Sequence, residues 1–207
     1  MAAAPVLDEA GIPFIATTIA NDLPSTAFRL WLTGSAYLAA APDSLHCPLP
    51  CDDLENLDWL SSNFQLPTSN FQLPTSNLQL TGPPLWGLRQ FPRLAPNAAE
   101  GIYFIAPAPM PADSTDPTFA DRYRALSPGV EPRFLAVLAY DAAKILFSAI
   151  ERDAQANGES TRAGVAAALA GTDYSGLSGR FTFDANHNWT GAEGWLYQWH
   201  DGTITTP

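Results

Sequence analysis

Residues 134–150 read Phe-Leu-Ala-Val-Leu-Ala-Tyr-Asp-Ala-Ala-Lys-Ile-Leu-Phe-Ser-Ala-Ile, the most regular pattern in the chain. Their apolar positions are 134, 135, 137, 138, 142, 145, 146, 149 and 150. This spacing is close to the 3.6-residue period of an α-helix, and it predicts a long helix that ends at Gly158. Asp141, the only acid in the stretch, fits either a role in orienting a hinge or a surface or capping role.

The segments on either side of this helix alternate between strand and helix patterns. Residues 101–106 read as a strand that Pro107 ends, and residues 118–126 as an amphipathic helix. A second helix is predicted from about 161 to 169, with Gly171 as its stop. Two C-terminal strands follow, one beginning at 179 and one at 195. This order is typical of an α/β domain.

The part of the chain before residue 95 holds shorter elements. Residues 2–10 have a helix-forming composition and stop at Gly11, while 13–19 and 27–32 read as strands. A strand at 78–81 and a helix at about 85–94 are also predicted.

A heptapeptide repeat interrupts these elements. Residues 63–69 read Asn-Phe-Gln-Leu-Pro-Thr-Ser, residues 70–76 repeat them without change, and 77–80 begin a third copy. The prolines at 67 and 74 would break a helix in every unit, which excludes a coiled coil. We interpret 61–78 as an insertion without its own function, extended or disordered. The chain is accordingly divided into segments 1–33, 34–80 (an irregular linker with the repeat at 63–80) and 81–207.

Composition excludes several classes of function. The formal net charge of −11 disfavours binding to phosphate backbones, so no nucleic acid is expected as a partner. No apolar run approaches the roughly 20 residues that a bilayer-spanning helix needs, so no membrane insertion is expected. The first residues, Met-Ala-Ala-Ala-Pro, lack the basic and apolar regions of a signal peptide.

No catalytic, metal-binding or cofactor motif is recognisable. His46, Cys47 and Cys51 are too few for a zinc site, and whether the two cysteines pair or stay free thiols remains open. The calcium-like run Asp184-x-Asn186-x-Asn188 lacks glycine at its sixth position and glutamate at its twelfth, so we predict a β-turn there. No nucleophile stands with an acid and a base, and we predict a protein that is not an enzyme and holds no cofactor.

Five sequence runs, in order along the chain, carry a resemblance to a known family. They are Ala2-Ala-Ala-Pro-Val-Leu-Asp-Glu-Ala-Gly-Ile-Pro-Phe-Ile, Ala98-Ala-Glu-Gly-Ile-Tyr-Phe, Phe119-(x)3-Tyr123, Ala139-Tyr-Asp-Ala and Leu177-Ser-Gly-Arg-Phe-Thr-Phe-Asp. Together they resemble type I periplasmic solute-binding proteins of the branched-chain amino-acid receptor kind, over residues 1–30 and 81–207.

The resemblance implies an α/β fold, namely a partial type I periplasmic-binding-protein fold. Segment 81–207 would be the C-terminal lobe, an open and mostly parallel sheet flanked by helices. Segment 1–33 would be a remnant of the N-terminal lobe, and the protein would be truncated.

The family also implies a function. Its members bind a small solute, such as an amino acid or a related polar molecule, and pass it to the membrane component of an ABC transporter. The family is periplasmic, whereas the chain as written would stay in the cytoplasm. Two alternatives stay open: a ligand-sensing domain of a signalling receptor, and a non-functional gene remnant.

The family suggests three ligand-binding residues. Thr17 and Thr18 follow a predicted strand where amino-acid-binding members hold the ligand, although strand-end threonines bonded locally explain them equally well. The loop 81–86 has Pro84 where the family often carries an acid for the ligand's ammonium group. Trp86 of this loop either lines a pocket or packs a helix.

Overall fold

The structure is a computed structural model that describes residues 4–17, 23–40, 45–46, 80–94 and 99–207. Thr18, the two cysteines and residues 63–79 of the heptapeptide repeat lie outside the described residues. In the described part, the helices are α1 Ala4–Glu9, α2 Gly34–Ala39, α3 Phe91–Leu94, α4 Phe119–Leu126, α5 Phe134–Asn157 and α6 Arg162–Ala170, with 3-10 helices at Pro84–Gly87 and Pro111–Asp113. The strands are β1 Phe14–Ala16, β2 Ala27–Arg29, β3 Leu45–His46, β4 Leu80–Gly82, β5 Tyr103–Ala106, β6 Tyr174–Gly176, β7 Gly179–Phe181, β8 Trp195–His200 and β9 Thr203–Thr205.

The chain divides into two compact units, each made of two separate stretches of sequence. Unit 1 contains Met1–Thr33 and Pro107–Glu193, and unit 2 contains Gly34–Ala106 and Gly194–Pro207. The predicted segment 81–207 therefore contributes to both units. Which unit corresponds to which lobe of the family stays a prediction.

In unit 1, the N-terminal stretch is built into the same body as the long helix. Strands β1 and β2 pair in parallel, with Phe14 opposite Ala27, and α5 lies against β1. The backbone of Arg29 continues this sheet, because its N–H donates to the carbonyl of His187 and its carbonyl accepts from the N–H of Trp189. The His187 ring stacks on Phe28 with centroids 4.1 Å apart.

The helix boundaries of unit 1 follow the local signals. Gly158 ends α5 in the left-handed region at φ 80°, which glycine adopts without steric cost. The hydroxyl of Thr161 caps α6 by accepting the N–H of Gly164 at 3.0 Å. The predicted long helix and its glycine stop are confirmed.

Unit 2 is built on a five-stranded sheet in the order β3-β4-β5-β8-β9. Strands β3, β4 and β5 are mutually parallel, while β8 and β9 are antiparallel to their neighbours. Its fully or nearly fully buried side chains are Trp86, Phe91, Phe104, Ile105, Tyr197 and Trp199. The two parallel pairings place the carboxyl ends of these strands at one edge, where loops follow.

Several local predictions differ from the structure. The helix predicted at 85–94 is split into a 3-10 helix and the one-turn α3, because Pro92 has no N–H to donate to the Leu88 carbonyl in a continuous helix. Helix α2 and strands β3, β6 and β9 were not predicted, and α2 and β3 lie in the segment 34–80 that was predicted as an irregular linker. Among the described residues, no helix combines the length and apolar character needed to cross a membrane.

Candidate binding site

The carboxyl end of β1 is one candidate for solute contact in unit 1. Its last residue, Ala16, is buried, and the Ala16 carbonyl accepts the N–H of Leu30 at 2.9 Å. Thr17 follows directly and is half-buried. A hydroxyl just beyond a parallel strand lies where ligands of α/β sheets are commonly held. The role of Thr17 stays a prediction.

The carboxyl end of β4 is the corresponding place in unit 2. The strand ends at Gly82, and Pro83 leads into the 3-10 helix that carries Trp86. Two buried polar atoms here, Thr81 Oγ1 and Trp86 Nε1, have no hydrogen-bond partner among the described residues. Buried polar atoms without partners are costly, so a polar molecule that reaches them would gain hydrogen bonds. Sequence reasoning missed Thr81, since it looks like an ordinary strand residue before Gly-Pro-Pro.

Trp86 is placed as a core residue of unit 2. Its side chain is 0% exposed and stacks on Phe91 with ring centroids 5.3 Å apart. Its backbone carbonyl accepts the indole N–H of Trp199 at 2.7 Å. These contacts account for the residue by packing, and its contact with a ligand stays a prediction. Thr17 and Trp86 belong to different units.

Asp141 joins α5 to the turn between β6 and β7. Its carboxylate accepts the backbone N–H groups of Leu177 and Ser178, both at 2.8 Å, and its side chain is fully buried. Gly176 leaves room for it, because a Cβ there would lie 2.4 Å from Asp141 Oδ1. The sequence left open a hinge role and a surface or capping role for Asp141. The structure supports a capping role, in which the carboxylate accepts the backbone N–H groups of a hairpin turn instead of those of a helix end.

Burial raises the pKa of Asp141, and the hydrogen bonds from Leu177 and Ser178 oppose this only in part. A carboxyl with a raised pKa contributes most to stability below its ordinary pKa, and loses that contribution as pH rises through the raised value. Asparagine does not titrate, so we expect Asp141→Asn to abolish the fall in the free energy of unfolding that the Asp141 carboxyl causes as the pH rises. Urea denaturation followed by circular dichroism across the acidic range measures it, and identical profiles for both proteins would contradict it.

The two groups that resemble cation sites are explained by hydrogen bonds. Asp184 accepts the N–H groups of Asn186 and Asn188, each at 2.8 Å, and His187 N–H donates to the Asp184 carbonyl. The predicted β-turn is confirmed. Glu100, His200 and Asp201 also lie together, all exposed. Hydrogen bonds already explain the cluster, since Glu100 bonds to His200 Nδ1 at 3.0 Å and accepts the N–H of Asp201 at 2.9 Å, and we assign no metal there.

Each of the two α/β units has parallel strands that end in loops with polar groups, which is the place where α/β proteins commonly bind ligands. A family described as "Periplasmic binding protein" matches residues 66–203. The chain belongs to this family. No match was found among curated proteins.

Solved structures with the same fold include binding proteins of ABC transporters. The leucine-binding protein LivK of Thermotoga maritima is 16% identical with a TM-score of 0.68, and the match covers 99% of this chain and 74% of that one. LivJ of Streptococcus pneumoniae, solved with isoleucine, is 18% identical with a TM-score of 0.66, covering 99% and 74%. A solute-binding protein of R. palustris, solved with benzoate, is 17% identical with a TM-score of 0.66, covering 99% and 72%. About a quarter of each of these chains has no counterpart here.

Proposed function

We propose that this protein is the solute-binding component of an ABC transporter, and that its solute is an amino acid or a related small polar molecule. The observation that carries the proposal is the family match over residues 66–203. The relatives with this fold include proteins solved with isoleucine and with benzoate, both of which are small molecules with a carboxylate. A binding role without catalysis agrees with the family, whose members here are binding proteins.

The chemistry at the end of β1 supports a role in holding a carboxylate or an amine. The Thr17 hydroxyl can donate to a carboxylate oxygen or accept from an amine. It follows β1, whose last residue, Ala16, is buried and accepts the N–H of Leu30, so the backbone position of Thr17 is set by the fold. Thr18 is proposed as its neighbour in the same role. In unit 2, Thr81 and Trp86 offer the buried hydroxyl and indole N–H described above.

We propose the periplasm as the compartment of this protein, because its family is one of periplasmic binding proteins. About a quarter of the length of these relatives has no counterpart in this chain. This supports the proposal that the chain is an incomplete binding component. A sensor domain of a signalling receptor and a gene remnant remain the alternatives. A remnant predicts no response to any solute.

A thermal-shift experiment tests the function. A ligand that binds only the native state at 100 times its dissociation constant adds about 2.7 kcal/mol to the free energy of unfolding. We expect leucine, isoleucine, asparagine or benzoate to raise the Tm of the protein. No shift with any of a full set of amino acids, amides and aromatic carboxylates would contradict the proposal.

The site is tested by Thr17→Val, which removes the hydroxyl and keeps the shape of the side chain. Loss of a hydrogen bond to a charged ligand group costs about 1.5–3 kcal/mol, so we expect the ligand's dissociation constant to rise by at least tenfold. Thr205→Val, at an exposed position of β9, is the matched control and should leave affinity unchanged. Equal affinities for the wild type and Thr17→Val would remove Thr17 from the site without removing the proposed function.

A further inference from the structure

The described acids of unit 2 lie at one edge of its sheet, away from the carboxyl ends of its parallel strands. They are Glu100 and Asp201, and both are exposed. Glu100 comes before β5 begins, and Asp201 follows the end of β8, which is antiparallel to β5. The carboxyl ends of β4 and β5 lie at the opposite edge. Within the described part of unit 2, no acidic side chain therefore lies at that edge.

The connection that follows β4 is positively charged in an acidic chain. Residues 59–99 contain no aspartate or glutamate and two arginines, Arg89 and Arg93, although the whole chain has a net charge of −11. Both arginines lie between the end of β4 and the start of β5, and both are exposed. The local field around this connection therefore favours an anion over a cation.

Two polar groups at the end of β4 can donate hydrogen bonds and have no partner. Trp86 Nε1 can only donate, whereas Thr81 Oγ1 can donate or accept. Both side chains are buried, and neither atom has a hydrogen-bond partner among the described residues. The nearby carbonyls of Pro83 and Trp86 already accept hydrogen bonds, from the Trp86 N–H at 3.0 Å and the Trp199 indole N–H at 2.7 Å. This end of the strand therefore suits a hydrogen-bond acceptor, such as a carboxylate oxygen.

An ammonium group would have no suitable partner at the end of β4. It has three donors and no acceptor, so it cannot satisfy the Trp86 indole N–H. Because Thr81 and Trp86 are closed to solvent, a charged group that reaches them loses its hydration, and an unpaired ammonium is then costly. In an α-amino acid, the ammonium and the carboxylate are bound to the same carbon atom. A carboxylate of an amino acid that binds here therefore brings an unpaired ammonium with it.

We therefore infer that the solute is a carboxylate without an ammonium group. This inference rests on the proposed function and narrows its solute class to acids such as 4-methylpentanoate or 3-phenylpropanoate. Trp86 Nε1 and Thr81 Oγ1 donate to the carboxylate oxygens. Hydrogen bonds of this kind are stronger than those to a neutral acceptor, because the acceptor is charged.

Isothermal titration calorimetry of the full chain with matched pairs of compounds tests the inference. The two members of each pair differ only by the α-ammonium group: leucine with 4-methylpentanoate, isoleucine with 3-methylpentanoate, and phenylalanine with 3-phenylpropanoate. We expect the acid without the ammonium to bind at least about tenfold more tightly than its amino acid, because a buried polar group without a partner weakens binding by a factor of this size.

Thr81→Val tests the site, because it removes the unpartnered hydroxyl and keeps the shape of the side chain. The hydroxyl has no partner in the free protein, so we expect the Tm to be unchanged or raised. The dissociation constant of the bound carboxylate should rise by at least about tenfold. Thr172→Val, at a buried threonine of unit 1, is the matched control and should leave that constant unchanged.

Each outcome decides the inference. Tighter binding of the acids, weakened by Thr81→Val and unaffected by Thr172→Val, supports it. An amino acid that binds as tightly as its matched acid, or more tightly, overturns it and leaves the proposed function intact. Equal affinities for the wild type and Thr81→Val also overturn it, because the carboxylate then lies elsewhere. Binding of none of the six compounds overturns it as well, and the proposed function fails too if the thermal-shift set gives no response.

Discussion

Asp141→Ala should lower the free energy of unfolding by about 3 kcal/mol, because it leaves the N–H groups of Leu177 and Ser178 without an acceptor. Each buried donor that loses its partner costs about 1–3 kcal/mol, and the site is closed to water since Asp141 is 0% exposed. The loss also frees the β6–β7 turn from α5. Urea denaturation followed by far-UV circular dichroism at neutral pH gives the value.

A matched control lies on the same hairpin. Asp173 forms an exposed ion pair with Arg180, whose guanidinium N–H groups donate to both of its oxygens at 2.7 Å. Asp173→Ala should leave stability nearly unchanged, because exposed ion pairs contribute little. If the two alanine variants lost equal stability, the buried carboxylate would not be what joins the hairpin to the helix.

Gly82→Ala should cost about 3 kcal/mol, at the upper end of the effects of overpacking. A Cβ at this position would lie 1.9 Å from Cε3 and 2.1 Å from Cδ2 of Trp86, a separation that real atoms do not reach. Trp86 is 0% exposed and stacked on Phe91, so the indole cannot move aside without disturbing the core of unit 2. Urea denaturation followed by tryptophan fluorescence measures the loss.

Two further variants make this result specific. Gly171→Ala is the control, since its Cβ would meet nothing nearer than the Ala167 carbonyl oxygen at 3.7 Å and its φ is −89°. It should change stability by no more than about 0.5 kcal/mol. Combining Gly82→Ala with Trp86→Leu should cost less than the sum of the single changes, because the smaller side chain relieves the clash. Strict additivity would mean that the two residues do not compete for the same space.

The resemblance drawn from five sequence runs led to the right family and fold class. Four of those runs lie wholly within the matched residues 66–203: the run from Ala98 to Phe104, Phe119-(x)3-Tyr123, Ala139-Tyr-Asp-Ala and the run from Leu177 to Asp184. Each run is a local motif of a strand, a helix or a turn, so together the runs predict the order of these elements along the chain. They do not describe which segments pack together, and the candidate site depends on that packing.

Trp86 illustrates this limit. In the sequence it is an aromatic residue in a loop after a strand, which suits a pocket wall as well as a core position. Its placement depends on Gly82, Phe91 and Trp199, and the last of these is 113 residues away in the chain. No periodicity within the loop records that contact. The sequence also could not predict that the Thr81 hydroxyl is buried without a hydrogen-bond partner, because that too depends on packing between segments that are distant in the chain.

The sequence alone determined the elements whose signals are local. The length and end of α5, the cap of α6 at Thr161 and the turn at Asp184 depend on residues within a few positions of one another, and backbone sterics and short-range hydrogen bonds act at that range. Only the tertiary structure decided that residues 1–33 share a unit with 107–193, that Asp141 holds a hairpin 36 residues away, and that Trp86 packs against Phe91 in the core of unit 2. Hydrophobic burial is non-directional and has no preferred sequence separation, so the partner of an apolar face becomes known only when the chain has folded.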